Sequence, residues 1–195
     1  MTGDTSVTIC NAALIALGED LIVALTDQTK RAYLCNARYD AVRRDVLRRR
    51  PWSCAKAQAQ IAASVTGPSF GYANAFALPT DFLRLWDVEG DNDATTSDYP
   101  WELVGAFIQT DDDGPINLNY VSDLQNTAQM DSLLVQCISL ALAADICVAL
   151  TQSQDKREKL LMELEQKLSE GALVTSQENS PKEWDEDVWL RSRNA

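Results

Sequence analysis

Carboxylates and thiols are the side chains that could do chemistry in this chain, because its 195 residues include no histidine. That absence removes Ser-His and Cys-His nucleophile pairs, histidine general bases and most zinc sites. The eight glycines form neither a GxGxxG nor a GxxxxGKS/T motif, so no dinucleotide site and no P-loop is expected. We therefore predict a non-enzymatic chain without a cofactor.

The cysteines are odd in number, widely spread and without a CxxC pair. A free cysteine is usually a small buried apolar side chain, and most of these fall within apolar helical patterns. Reduced, buried thiols are predicted rather than metal ligands. The five are Cys10, Cys35, Cys54, Cys137 and Cys147.

Two acidic clusters could in principle hold a cation. Asp91-Asn92-Asp93 resembles the start of a calcium loop, but Thr96 stands where such a loop needs glycine. Asp111–Asp113 are consecutive and cannot all point one way, so turn chemistry explains them better. We predict no metal site at either cluster. Paired carboxylates could also serve a cell-wall hydrolase, which stays open as a second hypothesis, although 29 acidic residues single out no pair.

Two tryptophans stand out in the last twenty residues, Ser176–Ala195, which are otherwise polar and acidic. Such a segment cannot build a core of its own, and exposed large apolar residues mark partner sites. We predict a flexible docking tail, with folding back onto the chain's own domain as the alternative. Its predicted anchors are Trp184, Val188, Trp189 and Leu190.

Charge is unevenly distributed along the chain. Residues 28–50 carry eight Lys/Arg against two Asp, a net +6, whereas the remainder carries −18 within a total of −12. One basic helix on an acidic protein suits electrostatic contact between copies, and it lacks the broad basic face of a general nucleic-acid binder. The predicted inter-subunit residues are Arg38, Arg43, Arg44, Arg48 and Arg49.

Apolar periodicity predicts two helices in the first fifty residues. Ser6 can cap the first and Gly18 can end it. The second begins near Thr26 or Asp27 and carries the arginines. Pro51 stops it, because proline cannot continue a helix.

Three further helices are predicted. One runs from Trp52 towards Ile61. Leu133 to Leu150 is apolar on nearly every side, which predicts a central core helix; a membrane span of ~30 Å would place Asp145 inside the bilayer at a cost of a few kcal/mol. An amphipathic helix follows Thr151–Gln154 and should form an antiparallel hairpin with it.

Short alternating stretches between Gly67 and Asn126 predict strands. The clearest is a hairpin of Ala106–Thr110 and Ile116–Val121, joined by an Asp-Gly turn. The other strand candidates are Tyr72–Leu78, Leu83–Glu89 and Trp101–Gly105.

Together these elements predict a mainly α fold. A helical bundle is expected from residues 1–66 and 127–175, interrupted by a small β-rich insertion at 67–126. An extended C-terminal tail follows at 176–195.

Five segments in this order resemble the tail tubular protein A family, the head-to-tail adaptors of short-tailed bacteriophages. They are Ile9–Glu19, Tyr39–Ala59, Ala77–Val88, Ile116–Val121 and Leu140–Leu161. The Pro-Trp after an arginine-rich helix, the Leu-Pro-Thr-Asp stretch and the Leu-Ala-rich helix carry the likeness together, over residues 7–176.

The resemblance implies a structural subunit that assembles as a dodecameric ring between the portal protein and the tail nozzle protein. It also implies a virion location at the head–tail junction, host cytoplasm during assembly, and a tail that grips the portal. An acidic channel wall would let double-stranded DNA pass without binding. We expect a largely monomeric free protein and no membrane association. A neck or stopper connector of a long-tailed phage is the close alternative.

Overall fold

The first helix, α1 (Ser6–Leu17), is fixed at both ends by its own residues. The structure, a computed structural model, describes residues 5–89 and 100–178. Thr5 caps α1 and forms a capping box with Thr8, so the cap lies one residue before the predicted Ser6. Gly18 ends the helix at φ 73°, in the left-handed region that glycine favours.

The arginine-rich helix, α2 (Lys30–Arg49), begins later than predicted. Thr29 is its cap, and the Asp27 carboxylate instead accepts hydrogen bonds from the backbone N–H groups of Val23 and Ala24. Asp27 therefore closes a turn before the helix rather than starting it. The helix ends immediately before Arg50 and Pro51, as predicted.

The central helix α3 (Ser132–Thr151) and the last helix α4 (Gln154–Glu178) confirm the predicted pair. Asp131 caps α3, which packs against α1, α2 and α4. The start of α3 meets the far part of α4 at Leu133 and Gly171, so the two run antiparallel. Within the described ranges α3 alone is long and apolar enough to cross a bilayer, and more than half of its apolar window is buried.

Six strands form two antiparallel sheets in the described part of the chain. Sheet A has the order β1-β6-β3, and sheet B has the order β2-β5-β4. The strands are β1 (Lys56–Ile61), β2 (Asn74–Ala77), β3 (Phe82–Glu89), β4 (Trp101–Val104), β5 (Phe107–Thr110) and β6 (Ile116–Ser122).

The two sheets pack as a small sandwich with an apolar core of its own. Ile116, Leu118 and Tyr120 alternate along the inner face of β6, and Phe76 and Ile108 face them from sheet B. The opposite face of sheet A begins against the helices, where Val121 joins the helical core. Sheet A therefore connects the helical and β parts of the fold.

The prediction of a mainly α helical bundle is wrong, because helices and sheets both build the described fold. The predicted third helix, Trp52 to Ile61, is a 3₁₀ turn at Ser53–Ala55 followed by β1. Ala, Gln and Lys have good helix propensity, but Ala57, Ala59 and Ile61 alternate and pack into the sandwich core. Pairing with β6 overrides the local preference.

The predicted hairpin of Ala106–Thr110 with Ile116–Val121 is also wrong, since β5 and β6 belong to different sheets. The intervening acidic loop carries the chain from sheet B to sheet A. The actual hairpin joins β4 to β5 through a two-residue turn, with Gly105 at φ 62°. An Asp-Gly signal marks a chain reversal, but it does not say which strand will be the neighbour.

Candidate functional site

Helix α2 positions all five of the predicted inter-subunit arginines, and each of them has a partner within the same chain. Arg38 lies furthest from the sheets, where its Nε and Nη2 donate to the Asp145 carboxylate of α3 at 2.6 and 3.1 Å. This two-point contact ties α2 to the central helix. It also explains the acidic residue within the apolar α3.

Arg43 is buried in the fold rather than presented on its surface. Only 2% of its side chain is exposed, and Nη1 donates to the Asp123 carboxylate at 2.5 Å and to the Leu124 carbonyl at 2.8 Å. Nη2 lies 3.5 Å from Asp40. The side chain therefore holds α2 against the segment after β6.

Asp123 serves two arginines at once. Arg44 Nε donates to its second carboxylate oxygen at 3.0 Å, and half of the Arg44 side chain remains exposed. Burial alone would raise the pKa of Asp123, but the hydrogen bonds and charges of Arg43 and Arg44 outweigh it and hold the pKa below its usual value. The carboxylate stays ionised at neutral pH.

Arg48 and Arg84 bind backbone carbonyls across the junction between α2 and sheet A. Arg48 Nη1 donates to the Leu83 carbonyl at 2.6 Å. Arg84 Nη1 donates in return to the carbonyls of Arg48 and Arg49 at 2.9 and 3.3 Å, so a strand residue caps the end of α2. Both side chains are exposed, and neither has a carboxylate within 4.0 Å among the described residues.

Arg49 and Arg50 line an open groove of about 450 Å³ between α2 and α4. Arg49 bridges Asp45 at 3.0 Å and Glu165 at 3.2 Å. Arg50 donates to the Leu168 carbonyl and stacks over Trp52 at 4.9 Å. A Cβ at Gly171 would come within 2.6 Å of Arg50 Nη1, which explains why α4 has glycine there. These contacts make the groove a packing seam between helices.

A second cavity of about 390 Å³ lies beside the start of α1 and is lined in part by Tyr39. The Tyr39 hydroxyl is buried and has no hydrogen-bond partner among the described residues. Burial raises its pKa to about 12, the nearby Arg43 opposing that effect. Asp40 and Arg43 line the same cavity, but neither forms a hydrogen bond with the phenol.

The described ranges contain no candidate metal site. No group of three or more Cys, Asp or Glu could hold a metal ion there. All five cysteines are free, and Cys54 is the one that is partly exposed. The acidic stretch at Asp91–Asp93 lies outside the described residues.

Two apolar surfaces, on different elements, are left exposed. The hairpin surface is formed by four β4 and β5 side chains that are 38–43% exposed. The corner surface lies between α1 and α2, with side chains 56–90% exposed. The hairpin surface comprises Trp101 and Leu103 on the face of sheet B that Ile108 shares, and Val104 and Phe107 on the opposite face; the corner surface comprises Ile15, Leu21, Val23 and Tyr33.

The predicted tail anchors Trp184, Val188, Trp189 and Leu190 lie outside the described residues. The sequence did not single out Arg84, whose partner helix is far away in the chain. It did mark the position of β4, since Trp101–Gly105 was a strand candidate. No protein-family model matches the chain, and no curated protein matches it either.

Proposed function

We propose that this chain is a structural subunit of a tailed bacteriophage, a head-to-tail adaptor that joins the portal to the tail nozzle and lines the DNA passage. The observation that carries the proposal is the pair of exposed apolar surfaces on separate elements. Large exposed apolar side chains mark contacts with other proteins. A ring needs two different contact surfaces on each subunit, because each copy meets its two neighbours through different faces.

The charge of the chain supports the same role. A net charge of −12 repels phosphate, so a ring of such subunits would pass double-stranded DNA without holding it. Four of the five arginines in the predicted inter-subunit set are ion-paired within the chain. Ring contacts would therefore rely on the apolar surfaces and on the cations that remain unpaired.

The family resemblance supplies the finer part of the proposal. It favours a dodecamer below the portal, located in the virion after assembly in the host cytoplasm. It also favours a monomer that associates upon docking, with the C-terminal anchors gripping the portal. Deleting Pro181–Ala195 should leave the fold intact and weaken portal attachment.

Electron microscopy of the chain mixed with portal protein tests the proposal. Rings attached to one face of the portal are the expected result. Replacing Trp101 and Leu103 by serine should reduce ring formation, whereas Phe70→Ser and Met162→Ser alter even more exposed apolar residues outside both surfaces and should not. Absence of any complex with the wild-type chain, at every salt concentration, would reject the adaptor role.

A further inference from the structure

The outer face of sheet A carries three cations that lack a counter-ion in the described part of the chain. Lys56 and Arg84 both lie opposite Val121, in one row across β1, β6 and β3. Arg48 reaches the same edge from α2 through its bond to the Leu83 carbonyl. We name Lys56, Arg84 and Arg48 the cationic surface.

An exposed tryptophan lies within this surface. Trp86 is 52% exposed, and the Lys56 ammonium sits over its ring at 4.7 Å. Two acidic residues of β3 share the outer face by register within the described residues: Glu89 lies opposite Asn117, and Asp87, opposite Asn119, accepts a hydrogen bond from the Val88 N–H. Together these groups leave a net positive surface on an acidic protein, with a half-exposed aromatic ring at its centre.

The complementary charge lies at the other end of the same sheet. The loop Asp111–Asp113 precedes β6, and none of its carboxylates has a cation within 4.0 Å among the residues that the structure describes. Asp111 and Asp113 are exposed, and they accept hydrogen bonds from the Ala73 N–H and the Asn74 amide. The loop is thus held in place with its negative charge uncompensated.

The two ends cannot neutralise each other within one copy. Ile116 and Val121 are five residues apart on β6, which places the ends about 17 Å from one another along the strand. That distance is about twice the Debye length of ~8 Å at physiological ionic strength. Between the ends, the outer face carries amide pairs, Gln58 with Asn119 and Gln60 with Asn117.

We propose that the cationic surface of one copy binds the acidic loop of the next copy, in a head-to-tail contact along the ring. The idea rests on the proposed function and names one contact within it. Because the two surfaces lie at opposite ends of one sheet, the contact is heterologous and repeats from copy to copy until it closes. Trp86 is positioned to anchor it, as a large side chain with both apolar and polar character.

Nucleic acid is the other polyanion that such a surface could bind. Three cations on a chain of net charge −12 make a small site in a repulsive field, whereas duplex DNA binding wants a broad basic face. Lys56 also covers the face of Trp86 on which a base would stack. A second copy is favoured because the chain itself carries the acidic complement.

Charge swapping tests the contact. The first variant carries Lys56→Glu and Arg84→Glu, and the second carries Asp111→Lys and Asp113→Lys. Sedimentation equilibrium at high protein concentration and low ionic strength measures self-association of each. We expect either variant to lower the association constant by at least about tenfold, since like charges then face each other. An equimolar mixture of the two should recover association, because opposite charges meet at both interfaces of an alternating assembly.

The control carries Arg157→Glu and Lys159→Glu, which make the same change in net charge as the first variant but on the exposed side of α4, and should leave association unchanged. If a double variant fails to fold by circular dichroism, Lys56→Glu and Asp113→Lys alone replace it. Unchanged association of the variants or no recovery on mixing would overturn the contact. If the free wild-type chain is monomeric at every concentration, ring formation on portal protein is compared instead, and rings that form equally well with the wild type and with either variant would overturn it. Duplex DNA binding that Lys56→Glu abolishes, with self-association intact, would assign the surface to nucleic acid.

The result separates this contact from the adaptor role. Rings of the variants on portal protein, formed as well as those of the wild type, would reject the contact and keep the proposed function. If the wild type does not bind portal protein, but mixing the two charge-swapped variants recovers self-association, the adaptor role is rejected and the contact is kept.

Discussion

Arg43 Nη1 lies 2.5 Å from the Asp123 carboxylate, and this ion pair is almost completely enclosed between α2 and the chain that leaves β6. It is the point at which the helical part of the fold holds the end of sheet A. Arg44 bonds the same carboxylate from a half-exposed position. The two neighbouring arginines therefore form a natural comparison between a buried and an exposed partner of one charge.

Arg43→Met should lower the free energy of unfolding by about 3–5 kcal/mol, because it leaves Asp123 buried with part of its charge uncompensated. Arg44→Met is the matched control and should cost no more than about 1 kcal/mol, since the lost contact is open to solvent. Urea unfolding followed by circular dichroism gives both values. Equal losses of unfolding free energy in the two variants would contradict the difference in burial between Arg43 and Arg44.

The depressed pKa of Asp123 predicts a pH dependence of stability. A carboxyl group whose pKa is lower in the folded state stabilises fully above its unfolded pKa of about 3.9, and the contribution disappears as pH falls through the folded value. The difference in unfolding free energy between wild type and Asp123→Asn should thus be constant near neutral pH and shrink below about pH 4. Urea titrations across this range measure it; a difference independent of pH would argue against the ionised pair.

Removing the hydroxyl group should have opposite effects on stability at the two buried tyrosines. The Tyr39 hydroxyl has no partner in the described part of the chain, whereas the Tyr120 hydroxyl donates to Asp81 at 3.0 Å. Tyr39→Phe should therefore stabilise the fold by about 1 kcal/mol, because it removes a desolvated polar group. Tyr120→Phe should destabilise it by about 1 kcal/mol, because a hydrogen bond is lost.

Thermal unfolding of both variants tests this contrast, and the wild-type absorbance titration provides a second readout. Burial raises the pKa of both tyrosines to about 12, with the Asp81 hydrogen bond and charge adding to the effect at Tyr120. Each phenylalanine variant should therefore remove one tyrosine from the part of the absorbance titration that occurs near pH 12. A loss of stability in Tyr39→Phe would mean that the hydroxyl has a partner.

Local patterns predicted the helices well and the pairing of strands poorly. Thr29, Asp131 and Gly18 are capping residues whose effect is local, so α1, α2 and α3 could be placed within a few residues. The choice between helix and strand at Lys56–Ile61 depends on β6, which lies far away in the chain. The same distance hides the partner of β5, since a turn signal contains no information about the other sheet.

In the candidate site, too, local features could be predicted from the sequence and long-range contacts could not. Clustered arginines on one helix are visible in the sequence, but the sequence does not distinguish Arg43, which is enclosed, from Arg48, which has no carboxylate partner among the described residues. That distinction arises where Asp123 and the Leu83 carbonyl meet α2, and it requires sheet A to be in place. The charge pattern of the sequence therefore identifies the arginine-rich helix. Only the tertiary structure shows which of its arginines lack a carboxylate partner.

The thiols should divide into one accessible group and four protected ones. Cys54 is partly exposed, while Cys10, Cys35, Cys137 and Cys147 are completely buried. Ellman's reagent should modify one thiol per chain in the native protein and all five after denaturation, because a buried thiol cannot meet the reagent until the fold opens. Cys54→Ser should abolish the native phase.

The rate of that native phase should rise with pH beyond the range of an ordinary thiol, since burial raises the pKa of Cys54 and the thiolate is the nucleophile. The hydrogen bond that the Cys10 thiol donates to Cys35, together with burial, raises the pKa of Cys10, which keeps that thiol protonated while the core is closed. The slow phase should consequently follow the rate of global unfolding and accelerate in urea. Two or more thiols that react rapidly without denaturant would show that the helical core is open.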